Sequence, residues 1–119
     1  MTEPVYFVEL NSPDHATSAA FFRAVFGWDP QPFAGPDYLV APHGPDAGVD
    51  SAILPSRDGQ ARAVPVIRVA NLDAALAAVS ANGGQVVVTP FALGDMGSAA
   101  YITDPAGLLV GLHYYNPAP

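Results

Sequence analysis

Tyr101-Ile102-Thr103-Asp104-Pro105-Ala106-Gly107-Leu108-Leu109-Val110-Gly111-Leu112-His113-Tyr114-Tyr115 is the stretch on which the reading of this chain turns. Asp104-Pro105-Ala106-Gly107 separates two runs of strand-forming residues. Pro105 presets φ for the second position of a turn, and Gly107 tolerates a positive φ at the fourth. Ala99–Thr103 and Leu108–Tyr114 are therefore expected to fold back on each other as a β-hairpin.

Working outward, the same alternation of strand and turn chemistry fills the second half of the chain. Val64–Val69 is β-prone, Asn71 is a good N-cap, and Leu72, Ala75, Leu76 and Val79 mark one helical face. Gly83-Gly84 ends that helix. Gln85–Thr89 reads as a strand, and Pro90–Gly97 as a loop, with Gly94 and Gly97 as candidate hinges of a lid. The first half follows the same order. Residues 4–10 form a strand, Ser12 or Asp14 caps a helix, and Ala16, Ala19, Phe22, Val25 and Phe26 share a face up to Gly27. Pro30, Pro32, Gly35, Pro36, Pro42, Gly44, Pro45 and Gly48 then exclude helix, leaving short strands at Tyr38–Ala41 and Asp50–Leu54. The polar stretch 56–63 is a connector.

One register lays Val5 on Val64, Phe7 on Val66, Glu9 on Arg68 and Asp14 on Asp73. The chain is thus expected to be one α+β domain over 1–119, built from two tandem βαβββ modules at about 4–55 and 64–115. One such module leaves a sheet face bare. Two are expected to form a curved mixed sheet around a cleft, with the helices outside.

Composition narrows the chemistry. Half of the 119 residues are apolar and 13% are charged, which fits a compact core rather than disorder. Cysteine is absent, removing disulfides, thiolate metal sites and cysteine nucleophiles. No lysine occurs, and the net charge is −7. Nucleic acid is therefore not an expected partner, because phosphate contacts need a basic face. No apolar run is long enough to span a bilayer, and no secretory leader pattern opens the chain. A cytoplasmic location and no membrane partner are the expectations.

The tandem modules, Phe21-Phe22 and Phe26-Gly27-Trp28 around the first helix end, Glu9-Leu10-Asn11-Ser12-Pro13-Asp14 before it, and the final Asp-Pro-x-Gly hairpin together resemble the vicinal oxygen chelate superfamily. This superfamily includes glyoxalase I, bleomycin-resistance proteins and extradiol dioxygenases, and the likeness is greatest to its small glyoxalase-like branch. The resemblance implies metal ligands on the first and last strands of the modules. The first-strand positions fall on Phe7 and Val66, and the final-strand glutamate falls on Gly111. The remaining ligand belongs within Ser51–Ile53, which offers no donor of the usual kind. A divalent ion needs three or four placed N or O donors, so neither a metal nor another cofactor is expected.

If Phe7, Val66 and Gly111 face the cleft, strand alternation turns Glu9, Arg68, His113 and Leu109 the same way. Glu9 and His113 are the candidate general bases, and Arg68 is the candidate clamp for an anionic group. Glu9 and Arg68, at equivalent repeat positions, could equally pair with each other. Phe7, Trp28, Tyr38, Tyr101 and Phe91 are candidate lining residues, with His43 nearby and His15 facing solvent. The leading expectation is a metal-independent small-molecule-binding homodimer, sequestering a drug or metabolite as bleomycin-resistance proteins do; the acidic chain suits a cationic or aromatic guest. Two alternatives stand beside it: a metal-free lyase, isomerase or hydrolase using Glu9 or His113 as base, and a metal-dependent lyase or dioxygenase with relocated ligands such as these two.

Overall fold

The computed structural model describes residues 2–33, 35–43 and 48–117. Gly44 and Pro45, counted above among the helix breakers, lie outside the described residues. The elements run β1 (Val5–Ser12), α1 (His15–Phe26), β2 (Gln31–Pro32), β3 (Leu39–Ala41), β4 (Asp50–Pro55), β5 (Arg62–Arg68), α2 (Leu72–Ala81), β6 (Gln85–Ala92), β7 (Gly97–Thr103) and β8 (Leu109–Tyr115). This is βαβββ twice over, and the fold class is α+β, as the repeat predicts. The chain divides into two compact units, one of Tyr6–Val64 and one of Pro65 onward with the lead-in to Val5. The lead-in is held there by Arg68 N–H donating to the Pro4 carbonyl at 3.0 Å and Ala70 N–H donating to the Glu3 carboxylate at 2.8 Å.

In the Tyr6–Val64 unit the strand order is β2-β3-β4-β1. β1 runs parallel to β4, with Phe7 opposite Asp50 and Glu9 opposite Ala52. The other pairs are antiparallel. Asp14, rather than Ser12, caps α1, accepting from Thr17 N–H at 3.1 Å. Ser12 instead accepts from Asp14 N–H and shares a 2.7 Å bond with Ser18. Gly27 closes the helix at φ 72°, a left-handed conformation that suits glycine. The prolines and glycines that follow keep β2 and β3 to two and three residues.

In the second unit the order is β5-β8-β7-β6. β5 runs parallel to β8, setting Val66 opposite Gly111 and Arg68 opposite His113. Asn71 caps α2 through Ala74 N–H at 2.9 Å. The helix buries Leu72 against Val69, Ala100, Ile102 and Leu112, with Ile67, Ala75, Leu76, Val79, Val110 and Tyr114 packed around them. Each fully buried aliphatic side chain contributes about 1.5–3 kcal/mol, so this cluster is the unit's main source of stability. The β7–β8 turn is organised by one side chain. Asp104 Oδ1 accepts from Ala106 N–H at 2.9 Å and Leu108 N–H at 2.8 Å, and Gly107 sits at φ 91°.

The lid expected at Pro90–Gly97 is corrected. β6 continues through Pro90 to Ala92, because it is the last strand of the order and its pairing with β7 shifts register between Val86 and Val88 and between Val88 and Phe91. A terminal, bulged strand tolerates proline's missing N–H. The short loop that remains is tied down by Leu93 N–H to Gly97 carbonyl at 2.9 Å and Asn116 N–H to Met96 carbonyl at 2.7 Å. Gly97 is no hinge either. The backbone of Tyr114 occupies the space that any side chain at Gly97 would need.

Candidate ligand site

Glu9 lies at the middle of β1 and is 2% exposed. The Tyr38 hydroxyl, just before β3, donates to its Oε2 at 2.6 Å. That is a short, charge-assisted bond of the stronger kind. Phe7, one step back on the same face, is also buried. Trp28, read as a lining residue, stacks on Phe22 with centroids 4.8 Å apart and meets the His43 ring edge-on at 4.9 Å. His15 does more than face solvent: its Nε2 lies 3.3 Å from the Asp37 carboxylate, tying the first turn of α1 to the segment that carries Tyr38.

Arg68, His113, Tyr101 and Phe91 belong to the second unit. Alternation sends Ile67 and Leu112 towards α2, so Arg68, Gly111, His113 and Tyr115 lie on the opposite face of β5 and β8. The Arg68 guanidinium stands over the Tyr115 ring, 5.2 Å from its centroid, a cation–π geometry. His113 is buried. Its Nδ1 lies 3.3 Å from the Tyr115 hydroxyl, and the two rings meet edge to face. Burial pushes the His113 imidazolium down to about pH 4, because the charged form is poorly solvated there. At neutral pH the ring is therefore uncharged, and it is a weak base compared with one tuned near 7. Phe91 and Tyr101 stack at 6.1 Å.

Tyr115 was missed as a site residue although the rule that placed His113 also reaches it, two residues further along the same strand. Phe22 was read as helix core, and only the fold shows that it carries Trp28.

The family's metal chemistry can be tested against these residues. Phe7 and Val66 carry no donor. A Cβ added to Gly111 would stand 3.2 Å from Val66 Cγ2 and 3.3 Å from Tyr101 Cε1, so a carboxylate side chain there would have to displace the Tyr101 ring. Among the described residues, no group of three or more His, Asp or Glu side chains is close enough together to hold a metal ion. The residues present do not fit the metal. Neither helix is long and apolar enough to cross a membrane.

Comparison with known proteins agrees with this architecture. A family model described as "Glyoxalase-like domain" matches residues 7–112. Curated relatives from Mycobacterium bovis and Mycobacterium tuberculosis, both called "Putative glyoxylase CFP32", are 34% identical over 92% of this chain. The chain spans 45% of their length. Among solved structures, methylmalonyl-CoA epimerase from M. tuberculosis superposes with a TM-score of 0.69 at 14% identity, covering 93% of this chain and 87% of that one. The Mn(II)-bound glyoxalase from Novosphingobium aromaticivorans does so with a TM-score of 0.68 at 21% identity, covering 95% of this chain and 40% of that one. These two structures speak to the fold alone. The chain belongs to the glyoxalase-like family, within the vicinal oxygen chelate superfamily.

Proposed function

We propose that this protein binds an organic small molecule without a metal, as a homodimer, and so sequesters a drug or metabolite. The observation that carries the reading is Gly111. Where the family's metal enzymes place a carboxylate, Tyr101 and Val66 fill the space. What the second unit offers instead is a face of rings, Tyr115, Tyr101 and Phe91, with the exposed Arg68 among them. Such a face suits an aromatic guest with an anionic group, since guanidinium pairs well with carboxylate and phosphate. It suits a purely cationic guest less well, despite the acidity of the whole chain.

The test is thermal denaturation in EDTA against aromatic carboxylic acids, acyl-CoA esters and cationic glycopeptides. A ligand at a hundred times its Kd stabilises by about 2.7 kcal/mol. The expected result is a shift with an anionic aromatic compound that persists in EDTA and is lost in Arg68→Met. Stabilisation that appears only with added Mn²⁺, or no shift with any class, counts against the proposal.

A second reading, metal-free catalysis, is favoured by the Glu9–Tyr38 pair, because a buried carboxylate oriented by a phenol is a suitable proton acceptor. Glu9 replaces His113 as its base, since His113 holds a proton too weakly near neutral pH. Turnover unchanged in Glu9→Gln would remove this role.

A further inference from the structure

The ring face of the second unit has two chemically different ends, and the sheet register fixes how far apart they stand. Phe91 on β6 pairs with Ala99 on β7, Ala99 with His113 on β8, and His113 with Arg68 on β5. Residues directly opposite one another share a face, so these four form one row across the sheet. Neighbouring strands lie about 4.8 Å apart, which sets the Cα atoms of Phe91 and Arg68 about 14 Å apart. At one end Phe91 is 37% exposed and stacks on Tyr101 at 6.1 Å. At the other the exposed Arg68 guanidinium rests over the Tyr115 ring. Between them Ala99 adds one methyl group, and the buried His113 adds no charge at neutral pH. β5, β6, β7 and β8 carry no acidic residue, so no carboxylate on these strands competes with an incoming anion for the guanidinium.

We propose that this row is a ruler for an elongated acid, whose aromatic ring stacks on Phe91 while its carboxylate pairs with Arg68 across an apolar spacer. The proposal rests on the metal-free binding reading above and narrows its ligand class. Both end side chains lean inward, so ring centre and carboxylate are to be roughly 8–10 Å apart, which a phenyl group reaches through about four to six methylenes. One or two methylenes leave the ring short of Phe91 once the carboxylate is seated. The stack and the charge-assisted bond are then made together only by the longer acids. A spacer with its own charge would lie over a stretch that offers no counter-charge, and would lose its hydration there.

Isothermal titration calorimetry on the 119-residue chain in EDTA tests this, with phenylacetate, 3-phenylpropionate, 6-phenylhexanoate and ring-free hexanoate. Every added methylene improves affinity by burial alone, so the discriminating quantity is the loss caused by Phe91→Ala. The expected result is that Phe91→Ala weakens 6-phenylhexanoate about tenfold and changes phenylacetate, 3-phenylpropionate and hexanoate less than about twofold. Arg68→Met is expected to weaken all four about tenfold or more. Both substituted side chains are exposed, and unchanged far-UV circular dichroism checks that each variant folds. A Phe91→Ala loss that is equal for short and long acids, or absent, overturns the ruler, as does binding indifferent to Arg68→Met. If no acid binds while another guest shifts the melting curve in EDTA, the ruler alone is overturned. If no guest of any class binds, the metal-free binding reading falls and the ruler with it.

Discussion

The two units share a plan and differ in what they do with it. In the Tyr6–Val64 unit the middle of the first strand carries a buried carboxylate, held at 2.6 Å by Tyr38. In its counterpart the same position carries Arg68, which lies exposed over Tyr115. The first unit has strands of two and three residues and an apolar helix surface. The second has strands of seven and eight and a helix surface of small residues. A duplicated backbone thus fixes where side chains point without fixing their chemistry. Opposite charges at equivalent positions, Glu9 and Arg68, are the clearest difference between the halves.

The sharpest blow to the second unit is Leu112→Ala, expected to cost about 2–5 kcal/mol because it empties the cluster under α2; urea denaturation reads this directly. Next comes pH. His113 has a folded-state pKa of about 4, below its ordinary 6.5, so the unfolded chain binds more protons between those values. Stability is then full above about pH 6.5 and falls as pH drops towards 4, by up to about 3 kcal/mol. His113→Gln should flatten that slope in melting curves taken across the window. A slope that survives the substitution would assign it to other groups.

In the first unit, Tyr38→Phe leaves buried Glu9 with one donor fewer and should cost about 1–3 kcal/mol. Tyr115→Phe, which gives up the longer, 3.3 Å contact with His113, should cost less than half as much. If the two are equal, the contrast between the units at this position is wrong. The smallest expected effect is Asn71→Ala, about 1 kcal/mol from loss of the α2 cap, measured in the same denaturation series.

Much of the fold was legible in the sequence because its punctuation is local. Asp104-Pro105-Ala106-Gly107, Gly27 and Asn71 each act on residues within a few positions, and period-two alternation put His113 on the same face of its strand as Gly111. What was not legible depends on distant partners. The sequence around Trp28 does not say that its ring meets that of His43. Nothing near Gly97 says that the Tyr114 backbone runs beside it. The Pro90–Gly97 stretch was read as a loop, yet β6 runs on through Pro90 to Ala92, since a terminal strand tolerates proline.

That same Pro90 bears on how the protein behaves when concentrated. β6 ends its sheet as eight residues with Val86, Val87 and Phe91 open to water. Such an edge invites runaway strand addition by neighbouring molecules. Proline supplies no amide hydrogen to an incoming chain, and the two register shifts bend the row of donors and acceptors out of line. A residue that resembled the opening of a lid is, on this view, a guard against fibrous aggregation, and Pro90→Val should shorten the chain's shelf life more than it alters its melting temperature.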